Sequence, residues 1–239
     1  MWGVVFGAEQ MGVEFGAWGT FELPPPREYA YTGPPLEREG GSDAPAPLAL
    51  AAGDGPGGGA AALLKDCVCI AEPEAFQEAV WADLEKIYAT PTGKKLLESL
   101  AKSGKTVDIE YSMLNNSMLE YDTPAARFYQ ADGSAGAGSG SKIGYNPARE
   151  SIGKEPWNTR PPAIGLAHEL VHAEQAAYGR MCAGKAANGT KPADDLGEVE
   201  KVDIRELEAV GVPPHDDYQF SENKIRSEWD PPQPARSWY

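Results

Sequence analysis

Residues 161–179 read PPAIGLAHELVHAEQAAYG. Two prolines suit the entry to a helix but not its interior, and Gly179 suits a C-cap, so the stretch predicts one helix between them. Inside it stands His168-Glu169-Leu170-Val171-His172. At 3.6 residues per turn, two imidazoles four positions apart project from one face and can bind a single metal ion. Glu169 lies about 100° around the helix, near enough to reach a water on that metal without ligating it. Zn²⁺ held by neutral nitrogens and one carboxylate lowers the pKa of water toward about 7, and an adjacent carboxylate can take the proton released.

A catalytic zinc site keeps three protein ligands and one open position, so the two histidines need a third partner. The extended HExxHxxGxxH pattern is absent, because Gln175 and Tyr178 occupy the places of its Gly and last His. A carboxylate from a later helix is the alternative, and residues 195–211, DLGEVEKVDIRELEAVG, read as such a helix. Turned at 100° per residue, it sets Val199, Val202 and Val210 within about 40° of Glu206, which points Glu206 into the protein. A buried ionised carboxylate needs a partner such as zinc. Glu208 falls on the outer face beside Lys201 and reads as a solvated charge, while Asp203 is the second choice of ligand. The expected centre is one Zn²⁺ per chain on His168, His172 and Glu206, with Glu169 as the general base.

The remaining sequence bounds the setting. The chain has 239 residues with 36 acidic against 21 basic side chains, a formal net charge of −15. So acidic a chain is repelled by phosphate backbones and anionic lipid, which disfavours nucleic-acid and membrane partners. Residues 1–23 carry Glu9, Glu14 and several glycines with no preceding Lys or Arg, and read as neither a Sec-type signal nor a membrane span. Cys67, Cys69 and Cys182 are too few and too scattered for a disulfide framework or a four-ligand site, and read as unpaired thiols. Residues 24–60 are dominated by Gly, Pro and Ala, a composition that cannot offset its own conformational entropy. Two parts are therefore expected, a leader or linker over 1–65 and a peptidase-like domain over 66–239.

Within that domain, Phe76, Ala79, Val80, Leu84 and Ile87 recur at helical spacing up to Pro91, and Leu96, Leu97 and Leu100 mark a second helix stopped by Gly104. Residues 106–113, 126–130 and 142–145 are expected strands, and the intervening GSAGAGSGS reads as a mobile loop. Near the end, Phe220 before Ser221 with Ile225 beyond it fits a stapled N-cap, predicting a short helix over 222–229. The expected class is α+β, with a small mixed or antiparallel sheet and an HExxH helix.

Four segments, GSGSKIGYNP (138–147), PPAIGLAHELVHA (161–173), RELEAVGV (205–212) and FSENKIRSEWDPPQPARSWY (220–239), together resemble the NleD-like effector zinc metallopeptidases that Gram-negative bacteria inject into host cells. The resemblance spans roughly residues 93–239 and implies a compact zincin-like metallopeptidase domain with one zinc, with the same His168, His172, Glu169 and Glu206. It further implies a protein or peptide substrate, a host signalling protein being one class. It also implies secretion without a cleavable Sec signal and action inside a target cell, with a cytoplasmic enzyme as the alternative. His215, Tyr218 and Arg226, each a hydrogen-bond donor after the third ligand, are the candidates for stabilising the tetrahedral oxyanion. Tyr145 is a candidate substrate contact, on a strand that could accept a peptide by strand addition. Two other readings compete with a zinc endopeptidase: a non-catalytic zinc-containing binding protein, and a metal-dependent hydrolase of a non-protein amide.

Overall fold

A computed structural model of the chain describes residues 58–113, 117–120 and 124–239. The expectations for residues 1–57 lie outside the described residues. The unit from Gly53 to Tyr239 is α+β, built as helices over a small mixed sheet.

The first helix, α1 (Gly58–Leu64), lies within the span read as linker, yet Ala60 and Leu64 are fully buried. Glu85 fixes its start by accepting from Ala60 N at 2.9 Å and Ala61 N at 3.3 Å. Strand β1 (Val68–Ile70) follows, then α2 (Glu74–Tyr88) and α3 (Pro91–Ser103). Thr90 caps α3 by accepting from Gly93 N at 3.1 Å, and Gly104 ends it at φ 67°. Leu96, Leu97 and Leu100 are buried on its inner face, each contributing about 1.5–3 kcal/mol by leaving water.

Strands β2 (Val107–Tyr111), β3 (Ser117–Glu120) and β4 (Ser141–Tyr145) complete a sheet of order β1-β2-β4-β3. The first three in that order are parallel, with Ile109 opposite Ile143, and β3 runs antiparallel to β4 on the edge. Residues 126–130, expected as a strand, instead begin inside the short helix α4 (Pro124–Arg127), and Phe128 makes a single bridge to Met181. Pro124 supplies the reason, since its fixed φ and missing N–H favour a helix start. The GSAGAGSGS run is not free: Gly136 N donates to Gly179 O and Ser139 N to Ala176 O, both at 2.9 Å. A Cβ on Gly138 would lie 2.0 Å from Ala177 O, so glycine here permits backbone contact.

The helix α5 (Pro162–Ala177) runs through the centre of the unit, and every residue from Ala163 to Ala177 is buried. It packs on α2, α3, β3 and β4, and on the two helices still to come. The predicted helix over 195–211 is mostly something else. Residues 188–200 form a loop between strands β5 (Lys185–Ala187) and β6 (Lys201–Asp203), and only α6 (Ile204–Val210) is helical. Asp194 explains part of the loss, because its carboxylate accepts from Leu196 N and Glu198 N and stabilises a turn there. The last helix, α7 (Glu222–Glu228), starts where expected, with Ser221 accepting from Lys224 N at 3.3 Å. Its Glu228 reaches back to Thr92 N and Oγ1, both at 2.7 Å, locking the end of the chain to the start of α3. Among the described residues no helix is long and apolar enough to cross a membrane.

Candidate metal centre and active site

His168 and His172 sit one turn apart on α5, both buried, with ring planes at 83° and their Nε2 atoms 3.2 Å apart. From the first turn of α6, Glu206 brings Oε2 to 3.4 Å from His168 Nε2 and 2.9 Å from His172 Nε2. The opposite edge of each ring assigns its proton. His168 Nδ1 faces the Glu222 carboxylate at 3.1 Å, and His172 Nδ1 faces the Gln175 amide oxygen at 3.3 Å. With protons on both Nδ1 atoms, two imidazole lone pairs and a carboxylate oxygen converge on one point. Three acceptors facing one another repel unless a cation sits among them. Tetrahedral zinc with bonds of about 2.0–2.1 Å has ligand atoms about 3.3 Å apart, and the three separations here match that figure. The donor set of two nitrogens and one carboxylate fits zinc, and no other group of His, Cys, Asp or Glu among the described residues is so arranged.

Electrostatics follow the same geometry. Burial alone would depress the His168 imidazole, but its bonds to Glu206 and Glu222 outweigh this and raise it to about 9 in the absence of metal. Burial opposes ionisation of Glu206 too, yet the two histidines hold its carboxyl well below the usual carboxylate range. Glu169, buried on the neighbouring face of α5, is raised, mainly by burial and against the pull of His168 and His172. A raised carboxyl beside a metal centre is a better proton acceptor than an ordinary one.

Behind His168 lies a second cluster that the sequence reading missed. Glu222 is fully buried, with Oε1 taking Arg226 Nε at 2.8 Å and an Arg226 Nη2 contact at 2.7 Å, while Oε2 takes Arg236 Nη1 at 3.0 Å and His168. Despite its burial, Arg236, His168 and Arg160 keep its carboxyl well below the usual range. The Ser-Glu-Asn-Lys-Ile-Arg segment thus carries the support of the first histidine. No periodicity signals this, because Glu222 and His168 are 54 residues apart.

Two of the three expected oxyanion donors are committed to other partners. The Arg226 guanidinium is fully buried and committed to Glu222, Pro234 O and Trp157 O. Tyr218 donates its hydroxyl to Glu174, which projects from α5 away from the His168–His172 face. His215 lies in a turn, its N donating to Val212 O at 2.8 Å, with its charge felt at Glu208. The donors of Arg226 and Tyr218 are thus engaged with partners outside the ligand cluster. Tyr145 is fully buried in the middle of the sheet and donates to Asp83 Oδ2 at 2.5 Å, so it does not face a substrate. Nor is β4 an edge; that position belongs to β3.

Tyr239 stands where those donors were sought. Its ring stacks on His168 at 5.9 Å and 23°, and the Arg236 guanidinium lies over the same ring, 5.2 Å from its centroid. Asn188 clamps its backbone, accepting from Tyr239 N at 2.7 Å and donating to Tyr239 O at 2.9 Å. Burial and the nearby Glu206 and Glu169 carboxylates all raise the phenol pKa. Glu208 also departs from expectation: it is half-buried and accepts from Gln175 Nε2 at 3.2 Å, so it stands behind His172.

A family model named Peptidase_M91 and described as "Effector protein" matches residues 65–239, well over half of the chain. No curated protein sequence matches. Solved structures similar to this chain include the Clostridium botulinum neurotoxin serotype F light chain, at TM-score 0.40 and 15% identity over 56% of this chain and 43% of that one. The botulinum neurotoxin type C light chain with its zinc removed gives TM-score 0.39 and 15% identity over 64% and 51%. The serotype C1 light chain protease gives 0.39 and 15% over 59% and 45%. This chain thus spans about half the length of these structures.

Proposed function

Because the chain belongs to the Peptidase_M91 effector family and is a metallopeptidase, we propose that it is a zinc endopeptidase, secreted and acting on a protein inside a target cell. The observation that carries this reading is the convergence of His168 Nε2, His172 Nε2 and Glu206 Oε2 beside a buried Glu169 whose carboxyl is raised. These three residues would hold one zinc ion, which when bound supplies Lewis acidity for the amide carbonyl and lowers the pKa of water.

The chain's own groups divide the rest of the work. Glu169 accepts the proton of the attacking water and hands it to the leaving amine, a transfer that its raised pKa favours in both directions. Glu222 and Gln175 hold the two imidazoles in the tautomer that turns Nε2 inward. Tyr239 keeps its proton at neutral pH and donates it in a hydrogen bond to the oxygen on which negative charge develops. It takes the role that sequence alone offered to His215, Tyr218 or Arg226.

The test is incubation of the zinc-loaded protein with a host-cell lysate and mapping of new protein N-termini, beside a Glu169→Gln control with matched zinc content. New termini that are absent from the control are expected. Identical termini in both samples would refute the reading.

A further inference from the structure

Tyr239 is 43% exposed, so its ring is not locked on His168 by packing, and the backbone that carries it is gripped by residues just after β5. Asn188 is fully buried and uses its whole amide. Its Oδ1 accepts from Tyr239 N at 2.7 Å, while Nδ2 donates to Tyr239 O at 2.9 Å and to Glu200 Oε2 at 2.6 Å. A carboxylate only accepts, so Glu200 decides which end of the amide is the NH₂ and turns Oδ1 toward Tyr239 N. Glu200 is held in turn by Lys191 Nζ at 2.6 Å, and its backbone O accepts from Asn188 N at 2.9 Å. Two residues on from Asn188, Thr190 donates from N and Oγ1 to Ser237 O at 3.2 and 3.3 Å. A Cβ on Gly189, between them, would fall 2.4 Å from Ser237 O, so glycine lets the two segments touch. Asn223 grips Arg236 in the same manner, accepting from its N at 2.7 Å and donating to its O at 2.9 Å.

We infer that Asn188 is a positioning residue: its amide, oriented by Glu200, fixes the place of the Tyr239 phenol beside the metal centre. The role rests on the peptidase reading and on the oxyanion contact given there to Tyr239, and adds the device that aims it. A reacting group misplaced by about 1 Å can cost on the order of 10²-fold in rate, and a half-exposed ring whose backbone has lost its grip has that freedom. Arg236 keeps Asn223, so loss of Asn188 frees Tyr239 while the Glu222 support of His168 stays in place.

The experiment joins a spectroscopic reading to a double-mutant cycle on the full, zinc-loaded chain. In protein labelled with ¹⁵N-tyrosine, the Tyr239 signal is assigned by its loss in Tyr239→Phe. Asn188→Ala should speed amide hydrogen exchange at Tyr239 by about tenfold, as for one lost hydrogen bond, and leave Tyr145 in β4 unchanged as the reporter of the fold. Cleavage of the lysate protein that the parent cuts fastest should slow by about tenfold in Asn188→Ala and by about threefold in Glu200→Ala, a change at an exposed site. Added to Tyr239→Phe, either change should slow cleavage by less than about twofold. Unchanged exchange at Tyr239 overturns the proposal. So does equal slowing with and without Tyr239→Phe, because a merely structural defect does not depend on the phenol. If Asn188→Ala loses the Tyr145 protection by unfolding, Glu200→Ala decides by the same two readings. Cleavage that depends on Glu169 but not on Asn188 removes the role of Asn188 alone, whereas absence of Glu169-dependent cleavage removes the peptidase reading and this role with it.

Discussion

Replacing Glu222 by Gln removes one charge and almost no volume from a fully buried site. The carboxylate takes two contacts from Arg226 on Oε1 and one each from Arg236 and His168 on Oε2. A glutamine keeps one acceptor oxygen, so whichever way the amide turns, two of the four contacts are lost and an NH₂ meets N–H donors. Hydrogen bonds to charged groups contribute about 1.5–3 kcal/mol each, giving a loss of about 3–6 kcal/mol. That agrees with the roughly 3–5 kcal/mol typical of breaking a buried ion pair, and is large against a total stability of about 5–15 kcal/mol. Losing the partner of His168 Nδ1 should also weaken zinc by about 10–100-fold. Urea unfolding of the zinc-free variant isolates the first effect, and competition with a chromophoric chelator measures the second. Stability within about 1 kcal/mol of wild type, together with unchanged zinc affinity, would refute the role argued for this residue.

Tyr239→Phe keeps the stack on His168 and loses only the hydroxyl, so kcat should fall by about 10²–10³ with one zinc per chain retained by metal analysis; unchanged turnover would return the oxyanion to another donor. Glu208→Ala removes the acceptor behind Gln175 and should weaken zinc several-fold in the chelator assay, where a solvated surface charge would have no effect. Leu64→Ala should cost about 2–5 kcal/mol in urea unfolding, because the side chain is fully buried although its segment looks like linker. In zinc-free protein the raised His168 contributes stability that is complete below its unfolded pKa of about 6.5 and is lost as pH rises through about 9. The urea midpoint should therefore fall across that interval in zinc-free protein, and a midpoint that rises would reverse the sign.

What sequence showed well was local. The HExxH helix, its proline entry and its glycine exit follow from spacing within one element, as does the Ser221 start. Glu206 came out at the cluster although most of the wheel used to place it was drawn over residues that are not helical. Only Ile204–Val210 of that stretch is helical, and the first turn of that helix happens to face α5. The same wheel misplaced Glu208, because an outer face on α6 takes no account of Gln175 approaching from α5. Strand β1 is three residues long and too short to carry a period. Glu222, Tyr239 and Arg160 owe their places to contacts with residues far away in the chain, and their own neighbours in sequence give no sign of it.

The fold also orders events during synthesis. A growing chain exposes the two histidines of α5 well before residues 222–239 have followed, and until then His168 has no carboxylate behind it, Arg160 no partners around Glu222, and the ring that stacks on His168 is missing. The supports of the centre follow its ligands in the chain. A product truncated before Glu222 holds the HExxH motif without these contacts, so the cluster takes its described form only once residues 222–239 have been made.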